Sequence, residues 1–373
     1  MANARYQEVD AIRALALIGI CIVNVPFMAQ PAEATFVAPT LRMEQWVACV
    51  VESVFQLKFF LLFSFLFGYG VGHQQRAALA HHREFKQVHM RRLAALAVVG
   101  CLHAILVFTG DILMLYALLG VLLWQIQHYS ASTLMKFSLV MVPVSMVCLS
   151  IVAIVISEMP AQPLTSPSGQ SHLTAGFLQA SWGRLQEWPE TFIFLFFLQA
   201  PLALGACALG LAAERTQFFQ PGNRHFARLN QQIPKLLLIA LPTNALYGLT
   251  LSGLLPSSAE WVHFICFIGI GIGAPCLAAV YLCWFSRFAR SIQLPSILLL
   301  AGRNSLSVYI SQGILAGFAF GGYGLGLFEQ LNLLELFGVS LCIAALTILT
   351  VGSYAKRYQR GPLEPIFRRL AGS

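Results

Sequence analysis

Ten apolar runs, most of them long enough to cross a bilayer, leave this chain hydrocarbon as the solvent for most of its surface. They fall near 11–28, 45–72, 93–109, 111–128, 133–157, 190–213, 235–255, 262–285, 297–321 and 333–355. A helix rises about 1.5 Å per residue, so about 20 apolar residues cross the hydrocarbon layer. Backbone polar groups in lipid must be satisfied internally, which restricts such runs to helices or closed barrels, and runs of this length read as helices. The expected fold is all-α: a polytopic transmembrane bundle of about ten spans, one domain over 1–373. Only 10% of residues are charged, against about 25% in soluble domains. The run 45–72 is too long for a straight span, so it tilts, breaks or projects. Segment 158–189, with Pro160, Pro163, Pro167, Gly169, Trp182, Trp188 and Pro189, reads as an irregular outer loop at the membrane surface. The first run follows Asp10 and Arg13 with no clear small-residue cleavage site, and reads as a retained helix.

Charge sets the orientation. With the N-terminus inside, the inner segments hold eighteen Lys and Arg residues, and the outer loops hold only Arg42 and Arg184. Such asymmetry places both termini in the cytoplasm. The net charge of +8 therefore speaks for basic inner loops, not for nucleic acid. The most basic of these, 73–92, also carries His73, His81, His82 and His89. It reads either as a solvated face meeting anionic lipid or as a site for a nucleotide-bearing polyanion. The nine cysteines lie in apolar stretches without metal-ligand spacing, so they read as packing residues; no metal site is expected.

Ionisable groups within spans are costly, and they default to functional candidates. Here they are Arg13, Glu52, Lys58, His103, His263 and Arg303, with Asp10 and Asp111 at helix ends. From the helix rise, Asn24 lies roughly 6 Å below the outer surface, His103 roughly 9 Å and Glu52 roughly 10 Å. These three are expected to meet in one outward-opening pocket. Eight positions and a turn separate His103 from Asp111, so direct contact between them is not expected. Arg13 and Arg303 lie towards the cytoplasm, placed to bind phosphate or carboxylate. Structural readings stand beside each: Asp111 as a helix cap, Asp10 and Arg13 as a local pair, Arg303 reaching the head groups, Glu52 and Lys58 neutralising a partner. Ser305, Tyr309 and Gln312 form a polar stripe on one helix, which either glues helices together or lines a path.

Several segments together carry a family resemblance. Asp10-x-x-Arg13-Ala14 with Gly19-Ile20 and Asn24 resembles the opening of YeiB-type membrane proteins. So do Lys58-Phe59-Phe60 running into Ser64-Phe65-Leu66-Phe67-Gly68, and Gly100-x-x-His103 followed by Gly110-Asp111-Ile112-Leu113-x-x-Tyr116. Gly302-Arg303-Asn304-Ser305-Leu306 with Tyr309 and Gln312 resembles the late helix motif, and Arg360-Gly361-Pro362-Leu363-Glu364 the C-terminal tail. Ala14 stands where the family usually has glycine. More distantly, the first helix is similar to that of the transmembrane acyltransferase superfamily, which includes heparan-alpha-glucosaminide N-acetyltransferase. The Asn24 position matches an asparagine implicated in that active site. The superfamily's catalytic histidine falls at Thr35 here and is not carried over; His103 is the candidate replacement.

The resemblance implies a transmembrane acyltransferase in a bacterial plasma membrane. An acyl-coenzyme A donor would come from the cytoplasm as co-substrate, and a sugar, lipid or glycan acceptor from outside; no resident cofactor is expected. His103 would be general base, oriented by Glu52 or Asp111, with Asn24 donating to the oxyanion. Asp10, Arg13, Lys58, Tyr116, Arg303, Asn304, Ser305, Tyr309 and Gln312 are the candidate substrate-binding residues. The bilayer is the expected partner, and self-association is open. Two other classes remain: a transporter or flippase using the buried polar groups as a path, and a non-catalytic sensor or assembly subunit.

Overall fold

The computed structural model describes residues 6–31, 33–82, 84–158, 171–255 and 260–372. Among them the regular structure is helical, with no strand. Eight helical segments are long and apolar enough to cross a membrane. In chain order the helices are α1 (Gln7–Ala29), α2 (Arg42–Val50), α3 (Lys58–Ala80), α4 (Phe85–Leu106), α5 (Leu113–Gln125), α6 (Ala131–Glu158), α7 (Phe177–Arg215) and α8 (Arg224–Leu251). They continue with α9 (Glu260–Ser291), α10 (Ser296–Arg303), α11 (Ser305–Phe320), α12 (Leu333–Tyr358) and α13 (Glu364–Ala371). The ten apolar runs appear as the eight long segments plus two shorter apolar helices, α5 and α11. The chain is thus an all-α, multi-pass membrane protein.

Helix α1 forms the centre, packing against α3, α9, α10, α11 and α12. Its Ile12, Ala14, Ala16 and Leu17 are fully buried. Lipid replaces water outside, so large apolar side chains such as Leu139, Leu178 and Leu238 stand exposed on the flanks.

The long second run breaks. A π-turn at Val51–Phe55 follows α2, Leu57 takes φ 68°, and α3 starts afresh at Lys58. The run near 297–321 also breaks, at Asn304 between α10 and α11.

Two expected loops are corrected. The basic segment 73–92 is mainly helix, because α3 runs to Ala80 and α4 resumes at Phe85. Segment 158–189 is not wholly irregular, because α7 already begins at Phe177. Pro189 lies inside that helix without ending it, as bundle packing allows in membrane helices. The rest of that expectation, 159–170, lies outside the described residues.

Ion pairs fasten the basic end. Glu8 of α1 meets Arg290 of α9 at 2.7 Å, and Arg76 of α3 meets Glu214 of α7 at 2.5 Å. Arg290 Nη2 donates to the Phe219 carbonyl at 2.9 Å.

Candidate functional site

Helix α4 ends abruptly. Val107 N and Phe108 N both donate to the His103 carbonyl at 2.9 Å, closing the last turn. The chain reverses through Thr109 and Gly110, which returns Asp111 along the end of the helix it has just left. His103 Nδ1 then lies 2.9 Å from Asp111 Oδ1. The expected separation of these residues is therefore wrong: sequence distance ignores a chain that doubles back.

Asp111 is saturated. Its Oδ2 accepts from Leu113 N at 2.8 Å and Met114 N at 3.1 Å, which caps the first turn of α5. Its Oδ1 also accepts from the Tyr309 hydroxyl at 3.3 Å, and that hydroxyl accepts from Ile112 N at 3.3 Å. One buried carboxylate thus starts a helix and fixes an imidazole. With the carboxylate on Nδ1, a neutral imidazole carries its hydrogen there and its lone pair on Nε2. Nε2 is buried and has no hydrogen-bond partner.

Two glycines make the arrangement possible. A Cβ on Gly100 would lie 2.6 Å from Met114 N and 2.9 Å from Asp111 Oδ2. A Cβ on Gly313 would lie 2.5 Å from His103 Nε2. Gly313 has no signal in the sequence reading, because its reason is a long-range approach.

His103 faces a small cavity of about 20 Å³ that Asn24, Tyr309 and Gln312 also line. Asn24 and His103 therefore line one cavity. Glu52 does not join them. It sits at the α2–α3 break, where its backbone carbonyl accepts from Lys58 Nζ at 2.7 Å. Lys58 is fully buried, and the Glu52 Oε2 atom is buried without a hydrogen-bond partner. The turn that carries Glu52 packs against α8 and α1, so depth alone misplaced Glu52.

Beside the small cavity lies a chamber of about 590 Å³. Asn24, Met28 and Phe108 line both spaces. Gln56, at the break, and Arg184 also line the chamber. Arg184, expected in an outer loop, belongs to α7 and donates to the Ile105 and Leu106 carbonyls at 3.0 and 2.9 Å. It caps the end of α4 and supports the turn that carries Asp111.

The remaining candidates divide. Asp10 and Arg13 pair at 3.5 Å. Tyr116 is buried among Phe60, Phe63 and Phe67, with its hydroxyl 2.9 Å from Ser64 Oγ. Gln312 donates to the Leu17 carbonyl at 3.3 Å, so the polar stripe both joins α11 to α1 and lines the cavity. Ser305 is half-buried and Arg303 exposed, both near the α10–α11 break.

Asn304 serves the C-terminal tail. Its Oδ1 accepts from Gly361 N at 2.8 Å, while its amide donates to Leu300 O at 2.8 Å. One turn on, Ser307 Oγ meets Glu364 Oε2 at 2.5 Å and Ser307 N donates to Glu364 Oε1 at 3.1 Å. The late helix motif and the tail motif are two halves of one joint.

A family model described as "Protein of unknown function (DUF418)" matches residues 213–373. That region supplies Tyr309, Gln312, Gly313 and the tail joint, while Asn24, His103 and Asp111 precede it. The chain is 26% identical to the uncharacterized protein YxaH of Bacillus subtilis (strain 168), over 99% of this chain and 94% of that one. It is 24% identical to the uncharacterized protein YeiB of Escherichia coli (strain K12), over 98% and 96%. No solved structure matches the chain. The chain is thus a multi-pass membrane protein similar along nearly its whole length to YxaH and YeiB, with its C-terminal part matching the DUF418 model.

Proposed function

We propose that the protein is a transmembrane acyltransferase of the bacterial plasma membrane, with His103 as its general base. The observation that carries this reading is the His103–Asp111 pair with Nε2 buried, unpartnered and facing a cavity. A carboxylate that fixes Nδ1–H leaves Nε2 able to take a proton from an attacking hydroxyl or amine. The acceptor oxygen or nitrogen would bond to the acyl carbon as the thioester C–S bond breaks. The acceptor's proton would pass to Nε2 and from there to the departing coenzyme A thiolate. Asn24 lines the same cavity and would donate to the developing oxyanion.

Thermal stabilisation of the purified protein by a panel of acyl-coenzyme A species tests the donor, with free coenzyme A and ATP as controls. A ligand that binds only the folded state raises the melting temperature. Selective stabilisation by one acyl-coenzyme A supports the reading; a folded protein that no donor stabilises contradicts it.

A transporter is the second reading, and the α2–α3 break favours it. Interrupted helices with unwound backbone and buried charge line substrate paths in many transporters, and here Lys58 and Glu52 sit at such a break. Transport requires substrate to move across proteoliposomes with no covalent change, which separates it from transfer.

A further inference from the structure

The chamber beside His103 is built for an amphiphile. Its lining residues Ile151 and Val155 of α6, and Ile193 and Phe197 of α7, are also exposed on the protein's flank. Residues that both line a cavity and face outward stand at an opening, so the chamber opens sideways into hydrocarbon. An acceptor arriving only from water has no use for such a doorway.

The chamber's polar groups say what head group fits. Glu190 lines it, and so does Gln199, whose Oε1 is buried without a hydrogen-bond partner; Glu187, also in the lining, lies 3.6 Å from His172 Nε2. These oxygens accept hydrogen bonds. The cation in the lining, Arg184, donates to the Ile105 and Leu106 carbonyls, and the two carboxylates Glu187 and Glu190 outnumber it. The chamber therefore offers acceptors to a hydrogen-bond donor and disfavours a second anion.

We propose that the chamber binds an outer-leaflet lipid with an uncharged, hydroxyl-rich head group, its chains leaving past the exposed Ile151, Val155, Ile193 and Phe197. A sugar-headed diacylglycerol has this chemistry. Its role as the acyl acceptor rests on the acyltransferase reading; its binding does not. The head group lies where the chamber meets the small cavity, at Asn24, Met28 and Phe108, which brings a hydroxyl towards His103 Nε2.

The test is equilibrium binding of radiolabelled monoglucosyl diacylglycerol to the purified full-length protein in a zwitterionic detergent, since sugar detergents mimic the ligand. Saturable binding is expected, with little competition from free glucose or phosphatidylglycerol. Gln199→Leu is expected to weaken binding roughly tenfold, the scale of one buried hydrogen bond. Ile193→Trp and Val155→Trp change residues already exposed to lipid and are expected to narrow the doorway and reduce binding. His103→Ala is expected to keep binding, so failure of the transfer reading would leave this result intact. Equal binding of phosphatidylglycerol, competition by glucose as strong as by the lipid, or wild-type binding in both tryptophan variants would overturn the proposal.

Discussion

His103 Nδ1 and Asp111 Oδ1 lie 2.9 Å apart in a region where both side chains are almost fully buried. Because Asp111 also caps α5, orientation of the imidazole and the start of a helix are one structural event. Asp111→Ala is therefore expected to lower stability as well as activity, by about 2 kcal/mol for the lost cap and the polar groups left unpaired. Asp111→Asn should retain much of the cap and lose most of the activity. Melting temperature and turnover, measured on both variants, separate the two effects.

Gly100 and Gly313 are predicted to be the least replaceable small residues of the site. Alanine at 313 would press on His103 Nε2, and alanine at 100 would press on Asp111 and the first turn of α5. Gly338, where a Cβ would meet nothing within 4 Å, is the control. Gly313→Ala is expected to reduce activity with a modest change in melting temperature, and Gly100→Ala to reduce both. Gly338→Ala should leave activity unchanged.

The tail joint makes a prediction remote from the chemistry. Asn304→Ala removes the acceptor for Gly361 N, and Glu364→Ala removes the carboxylate that accepts from Ser307 N and Ser307 Oγ. Each is expected to cost about 1–3 kcal/mol. The freed segment after Tyr358 should become sensitive to a protease added from the cytoplasmic side. If both variants resist cleavage like the parent protein, the joint does not hold the tail.

Lys58 answers a different question. It is fully buried and bonds the Glu52 carbonyl at the helix break. Lys58→Met keeps the volume and removes the donor and the charge, leaving the Glu52 carboxylate without its nearby cation. A loss of about 1–3 kcal/mol is expected, with partial rescue by adding Glu52→Gln. Thermal melts of the single and double variants form the cycle that measures the coupling.

Much of the fold is legible in the sequence because hydrocarbon imposes helix length and satisfied backbones. The excessive length of 45–72 announces a disruption, yet its place depends on Lys58 reaching back to a carbonyl six residues earlier. Asp10, Arg13, Asn24 and His103 could be chosen because polar groups in spans are rare. The His103–Asp111 contact could not, since it arises from the turn at 107–110. The Asn304–Gly361 joint links positions 57 apart, so its two motifs are readable and their meeting is not. Trp182, Trp188 and Pro189 suggest a loop, but bundle packing sustains α7 through them.

The most direct test of the central claim uses proteoliposomes with radiolabelled acyl-coenzyme A outside the protein's basic face and a sugar-headed lipid in the bilayer. The account predicts label in the lipid fraction and an equal amount of released thiol. It also predicts a loss of about 10²–10⁴-fold in His103→Ala, the range of a missing general base. No labelled product from the folded wild-type protein, or equal product from His103→Ala, would contradict it.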